Sequence, residues 1–168
     1  VSLALIVSVL LALFGFASGA PARFDADDDA RLEPLAATSI IVDRRDDALT
    51  MLVTLNAERA AHRLEPLAID DRLVAIARSH AVDMAERRYF GHDTPEGLSP
   101  FARMARAHYR YSYAGENLAL DQSEEAAAQA LWNSSAHRSN ILQPHFARVG
   151  IAAIAVRDGE LFVQDFSD

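Results

Sequence analysis

Three residues of this chain carry side chains suited to shared chemistry. His92 lies in Tyr89-Phe90-Gly91-His92-Asp93-Thr94-Pro95-Glu96-Gly97, Glu116 in Gly115-Glu116-Asn117, and His137 in Trp132-Asn133-Ser134-Ser135-Ala136-His137-Arg138. Two imidazoles and a carboxylate are good zinc ligands, and three protein ligands leave a fourth position open to water. The same residues also permit nucleophilic hydrolysis, with Ser134 or Ser135 attacking, a histidine taking its proton and Glu116 orienting that histidine. Separations of 24 and 21 residues encode no geometry. Each residue also has a plainer role: a solvated loop histidine, a strand-end glutamate, and a histidine favoured by a helix C-terminus. The zinc-protease HExxH, the nucleophile elbow GxSxG and a phosphate-binding glycine loop are all missing from the sequence.

The elements that must position these residues are legible from periodicity. Leu49, Leu52, Val53, Asn56, Ala57 and Ala60 recur at helical intervals, with Glu58 and Arg59 off that face. That helix is predicted to end near Arg63, before Leu64-Glu65-Pro66. Asp70 is the expected N-cap of a second helix whose buried stripe includes Leu73, Ile76, Ala77, His80, Ala81 and Met84. His80 therefore reads as a hydrogen-bonded core histidine. Residues 89–97 form a loop, and Ser99-Pro100 opens a short helix to about His108. Tyrosines at 109, 111 and 113 suggest a strand, or an extended run, leading into Gly115-Glu116-Asn117. Asp121 or Ser123 caps a further helix with Ala128, Leu131, Trp132 and Ser135 on its face. Residues 149–156 and 161–166 read as two strands, joined by a hairpin containing Asp158-Gly159. Helices first and strands last predict an α+β domain with a small antiparallel sheet.

Composition narrows the function. The 168 residues carry a formal net charge of −8, and all 16 basic residues are arginine. That balance opposes nucleic-acid binding, which needs a basic footprint, and adsorption to anionic lipid head groups. With no cysteine there is neither a disulfide framework nor a thiolate site. Residues 1–22 read as a signal peptide, or an uncleaved anchor, with small residues around Ala20 and Ala22. Export is therefore expected: secreted, periplasmic or envelope-associated, with membrane contact only through an uncut leader. Residues 23–46 read as an acidic flexible spacer, whose Asp27-Asp28-Asp29 run is solvated charge rather than a calcium loop. The folded domain is placed at 47–168.

Five segments in order add a family resemblance: MLVTLNAER (51–59), SHAVDMA (79–85), YFGH (89–92), GENLA (115–119) and WNSSAHRSNIL (132–142). Together they resemble the bacterial branch of the CAP superfamily (cysteine-rich secretory, antigen 5 and pathogenesis-related 1 proteins, or SCP domains) over about residues 48–166. The resemblance implies an α-β-α sandwich with a small antiparallel sheet between helical layers. It also implies a central cavity in which His92, Glu116 and His137 can hold Zn2+ or another divalent cation. The further acidic residue of eukaryotic members would fall at Asn133-Ser134-Ser135, where this chain has no carboxylate. Three functions stay open: a monomeric binding domain for a cation and a small, lipid-like or envelope ligand; a metal- or serine-dependent hydrolase; and a ligand-free surface interaction domain.

Overall fold

A computed structural model describes residues 41–168; the leader and most of the acidic spacer lie outside the described residues. The chain runs β1 (Val42–Asp43), α1 (Arg45–Ala61), β2 (Ala68–Ile69), α2 (Asp71–Arg87), α3 (Pro100–Arg106), β3 (Ala114–Asp121), α4 (Glu124–Asn133), α5 (Ser135–Ile141), β4 (Arg148–Val156) and β5 (Gly159–Ser167). The strands form one sheet in the order β1-β4-β5-β3, with β2 pairing parallel to β4 and the other pairs antiparallel. Sequence reading missed β1 and β2. Two residues are too few to show an alternation, and β1 lies in the stretch read as spacer, so regular structure starts at Val42 rather than near Asp47.

Strand alternation divides the core into two layers. On one face, Phe162, Phe166, Val149, Ile151 and Ala119 pack against Met51 and Leu55 of α1, Ala127 and Leu131 of α4, and Ile141 of α5. On the other face, Leu161, Val163, Leu118, Ala152 and Ile154 meet Ala77, Ala81 and Met84 of α2. Each fully buried Phe or Leu contributes roughly 1.5–3 kcal/mol. The layers are helix, sheet and helix, as the resemblance implied.

Gly150 explains how closely α2 approaches. A Cβ there would lie 2.1 Å from the Leu73 carbonyl carbon and 2.2 Å from the Val74 nitrogen, so the helix backbone rests directly on the strand. The Asp70 carboxylate caps that helix start by accepting from the Arg72 and Leu73 amides, as its residue type predicts. Ser99 caps α3 with Pro100 in the first turn, and Ser123 caps α4. The hairpin between β4 and β5 is tight, with Val156 paired to Gly159.

Two details depart from the sequence reading. In α1 the buried stripe is Met51, Leu55 and Arg59, whereas Leu49 and Val53 are 57% and 69% exposed. The tyrosine run precedes β3 rather than forming it. Tyr109 is buried with its hydroxyl 3.0 Å from Asp70 and 2.9 Å from Ser167, Tyr111 packs on Phe101, and Tyr113 stacks on His145.

Candidate functional site

β3 is an edge strand, and Glu116 points from its first residues toward the α2 layer, sharing that face with Leu118. Its side chain is 2% exposed. Both carboxylate oxygens are engaged: Oε1 accepts from His92 Nδ1 at 2.8 Å and Oε2 from Arg103 Nη2 at 2.5 Å. Arg103 is itself buried, and its Nη1 donates to the carbonyls of His92 at 2.7 Å and Leu98 at 3.0 Å. One guanidinium thus neutralises Glu116 and clamps both ends of the histidine loop.

The loop is pinned from the core as well. His80, buried on α2 as expected, lies with Nε2 3.0 Å from the Gly91 carbonyl, so Nε2 carries the proton and donates it. Burial holds the His80 pKa below its ordinary value, which keeps the ring neutral. Thr94 closes the turn, its hydroxyl accepting from the Leu98 amide. The result is a rigid loop that presents a half-exposed His92 ring, 52% accessible, with Nδ1 directed at Glu116 and Nε2 unengaged among the described residues.

His137 arrives from the other helical layer. Strand alternation turns Asn117 away from Glu116, and its Nδ2 donates to the His137 carbonyl and to Gln164 Oε1. Asn140 Nδ2 donates to Asn117 Oδ1 and to the Glu116 carbonyl, tying α5 to β3. The half-buried His137 ring has a lowered pKa, first through burial and then through the charge of His92, so the two imidazoles stand within electrostatic reach. Ser134 is the joint between α4 and α5, and its carbonyl accepts from the Arg138 amide. Among the described residues no hydrogen bond joins the Ser134 or Ser135 hydroxyl to a histidine.

Two members of the cluster escaped sequence reading, Arg103 and Asp165. Pro100, Arg103 and Met104 form the buried stripe of α3, so helical spacing next to Met104 was an available signal for Arg103. Asp165 had none, since it sits mid-strand directly across from Glu116 on β5. It is fully buried, and neither of its oxygens has a well-formed hydrogen bond. Burial first, and the adjacent Glu116 charge second, push its pKa well above the usual carboxylate range, with Arg103 opposing. Both burial and the neighbouring Glu116 charge thus favour the neutral form of Asp165.

A folded-state pKa above the unfolded one contributes stability that is present below the unfolded pKa and lost as pH rises through the folded value. Asp165→Asn, neutral and nearly isosteric, lacks that loss. The thermal stability of the variant over the parent is expected to widen above about pH 4, by up to about 1.4 kcal/mol per pH unit. Parallel pH profiles of the two unfolding midpoints would show instead that Asp165 is ionised in the fold.

A three-layer domain with an imidazole–carboxylate–guanidinium cluster at one sheet edge is the class these residues define. Residues 52–166 match the model of the cysteine-rich secretory protein family, CAP, and the chain belongs to that family. It is 40% identical over 112 residues to the uncharacterized protein YkwD of Bacillus subtilis (strain 168), covering 66% of this chain and 43% of that protein. An extracellular SCP-domain protein of Bacillus anthracis superposes with a TM-score of 0.66 at 31% identity, over 73% of this chain and 40% of that one. An outer surface protein of Borrelia burgdorferi shares the fold at a TM-score of 0.73 and 22% identity, over 78% of this chain and 98% of that one. The chain spans less than half the length of the two Bacillus proteins. Among the described residues no helix is long and apolar enough to cross a membrane.

Proposed function

We propose that this is an exported binding domain in which His92 and His137 receive a divalent cation or the polar group of a small envelope ligand. The observation that carries the reading is the His92–Glu116 hydrogen bond, which occupies Nδ1 and leaves Nε2 without a partner among the described residues on a rigid, half-exposed loop. The extracellular setting of the Bacillus anthracis SCP-domain protein and the leader-like residues 1–22 support export.

The ligand set implied by resemblance fits only in altered form. Both Glu116 oxygens are already engaged, and among the described residues no group of three or more histidines and carboxylates converges closely enough to hold a metal ion. Zinc chemistry is retained if His92 and His137 are the ligands, with Glu116 behind His92 as the carboxylate that orients a ligating imidazole. The bound ion would supply Lewis acidity to a ligand oxygen. Serine-dependent hydrolysis has the base half of its machinery, the His92–Glu116 couple, but among the described residues no hydroxyl is bonded to it.

Zinc added to the metal-stripped chain is expected to raise the unfolding midpoint in a concentration-dependent way, and to leave His92→Ala/His137→Ala unmoved. At a hundredfold excess over Kd the gain is about 2.7 kcal/mol. A flat response in both proteins would make the cluster internal scaffold and turn attention to surface partners.

A further inference from the structure

A second concavity lies on the far side of the histidine loop. It is a cleft of about 940 Å³ between α2, the 94–98 turn and α3, lined by neither His92, Glu116 nor His137. Its floor is Ala75, Ile76 and Leu98, a size and composition ordinary for a small-ligand site. Its charge is not ordinary for this protein. Four arginines and two carboxylates line it, in a chain with a net charge of −8.

The two ends differ. At one, Arg87 is consumed by Asp83 and Glu96, two carboxylates against one guanidinium, which leaves that end acidic. At the other, Arg72 donates Nη2 to the carbonyls of Ala107 and His108, which sets it against the last turn of α3. Arg106 lies in that same turn and makes no side-chain hydrogen bond or ion pair among the described residues. Arg103 precedes it by three residues, on the same side of the helix. Arg103 is turned inward, its Nη atoms engaged by Glu116 and the His92 and Leu98 carbonyls and its Nε sealed from the cleft, so Arg72 and Arg106 are the arginines this end offers. Asp70 is committed to the start of α2 and to the Tyr109 hydroxyl, and Glu116 meets only the Nη2 edge of Arg103.

We propose that this cleft is a second binding site, taking a small ligand whose phosphate or carboxylate group is gripped by Arg72 and Arg106. The body of the ligand lies along Ala75 and Ile76, and the exposed Ser79 hydroxyl is available to it. Planar guanidiniums suit oxyanions because each offers paired, parallel N–H donors.

The test is calorimetric titration of the full chain, stripped of metal, with inorganic pyrophosphate in one arm and citrate in the other. Binding of either is expected, and Arg106→Glu is expected to weaken it roughly tenfold or more, since a charge-assisted contact is removed and a repulsive one added. Arg106 is exposed, so the variant keeps the parent's unfolding midpoint, and Arg72→Gln supplies a second reading of the same grip. Binding of pyrophosphate alone assigns a phosphate ligand; binding of citrate alone assigns a carboxylate. His92→Ala/His137→Ala is expected to bind as the parent does, which separates this site from the histidine pair. No heat with either probe up to millimolar concentration, or binding indifferent to Arg106→Glu, overturns the proposal.

Discussion

Arg103→Met is expected to destabilise the domain by about 3–5 kcal/mol, the usual consequence of removing one partner of a buried ion pair. Glu116, 2% exposed, would lose the donor on Oε2 and face the buried Asp165 with no compensating charge. The His92 and Leu98 carbonyls would lose their shared donor in the same step, so the loop that presents His92 should open. Two measurements separate these effects. Equilibrium denaturation gives the global loss, and hydrogen exchange at residues 91–98 reports the loop. Adding Glu116→Gln removes the stranded charge and should recover part of the global loss without restoring exchange protection in the loop. Arg103→Lys is expected to fall well short of the parent, because one ammonium cannot reproduce a planar fork that serves two carbonyls and a carboxylate together. A loss below about 1 kcal/mol for Arg103→Met would mean that Glu116 is solvated in the fold and that the cluster is far looser than described.

What the sequence disclosed about this site follows from the range of the forces involved. Caps and turns are local, so Asp70, Ser99, Ser123 and the hairpin before Gly159 were placed from a few neighbouring residues. His80 was legible as a core residue because five apolar neighbours at helical spacing fixed its face. The convergence of His92, Glu116 and His137 was not legible from spacing. Only the resemblance brought them together, and the structure joins His92 to Glu116 by a hydrogen bond while holding His137 through the Asn117 and Asn140 side chains. The role of Glu116 could not be read without Arg103, and that pairing depends on how α3 lies against an edge strand 13 residues further along the chain. Asp165 is more hidden still. A carboxylate in an alternating strand is read as facing water, and only the register of β5 against β3 turns it inward.

Arg59 shows the same limit in the opposite helical layer, and its loss should be as severe. An arginine among alanines near a helix end is normally solvated, yet this one is 1% exposed. Nε donates to the Glu65 carbonyl at 2.8 Å, Nη1 to Ile141 at 2.8 Å and Gln143 at 3.0 Å, and Nη2 to Phe146 at 3.2 Å. It closes the turn after α1 and the turn after α5 at once. The Gln143 carbonyl also accepts from the Phe146 amide, but the Glu65, Ile141 and Phe146 carbonyls have no backbone donor among the described residues, so a side chain must satisfy them. The stripe of α1 is consequently set by Met51, Leu55 and Arg59, four residues apart each time, which is why Leu49 and Val53 are left outside. Arg59→Ala strands three acceptors, the Glu65, Ile141 and Phe146 carbonyls, and leaves a cavity, with an expected loss of about 3–5 kcal/mol. Denaturant unfolding should show a lower midpoint at an unchanged slope, the mark of lost stability rather than a changed ensemble. Because the turn that Arg59 holds ends the helix carrying His137, the variant should also respond more weakly to zinc at temperatures well below its midpoint. An unfolding midpoint within error of the parent would show that water replaces the guanidinium without cost, and that the α5 turn is held by the Asn117 and Asn140 network alone.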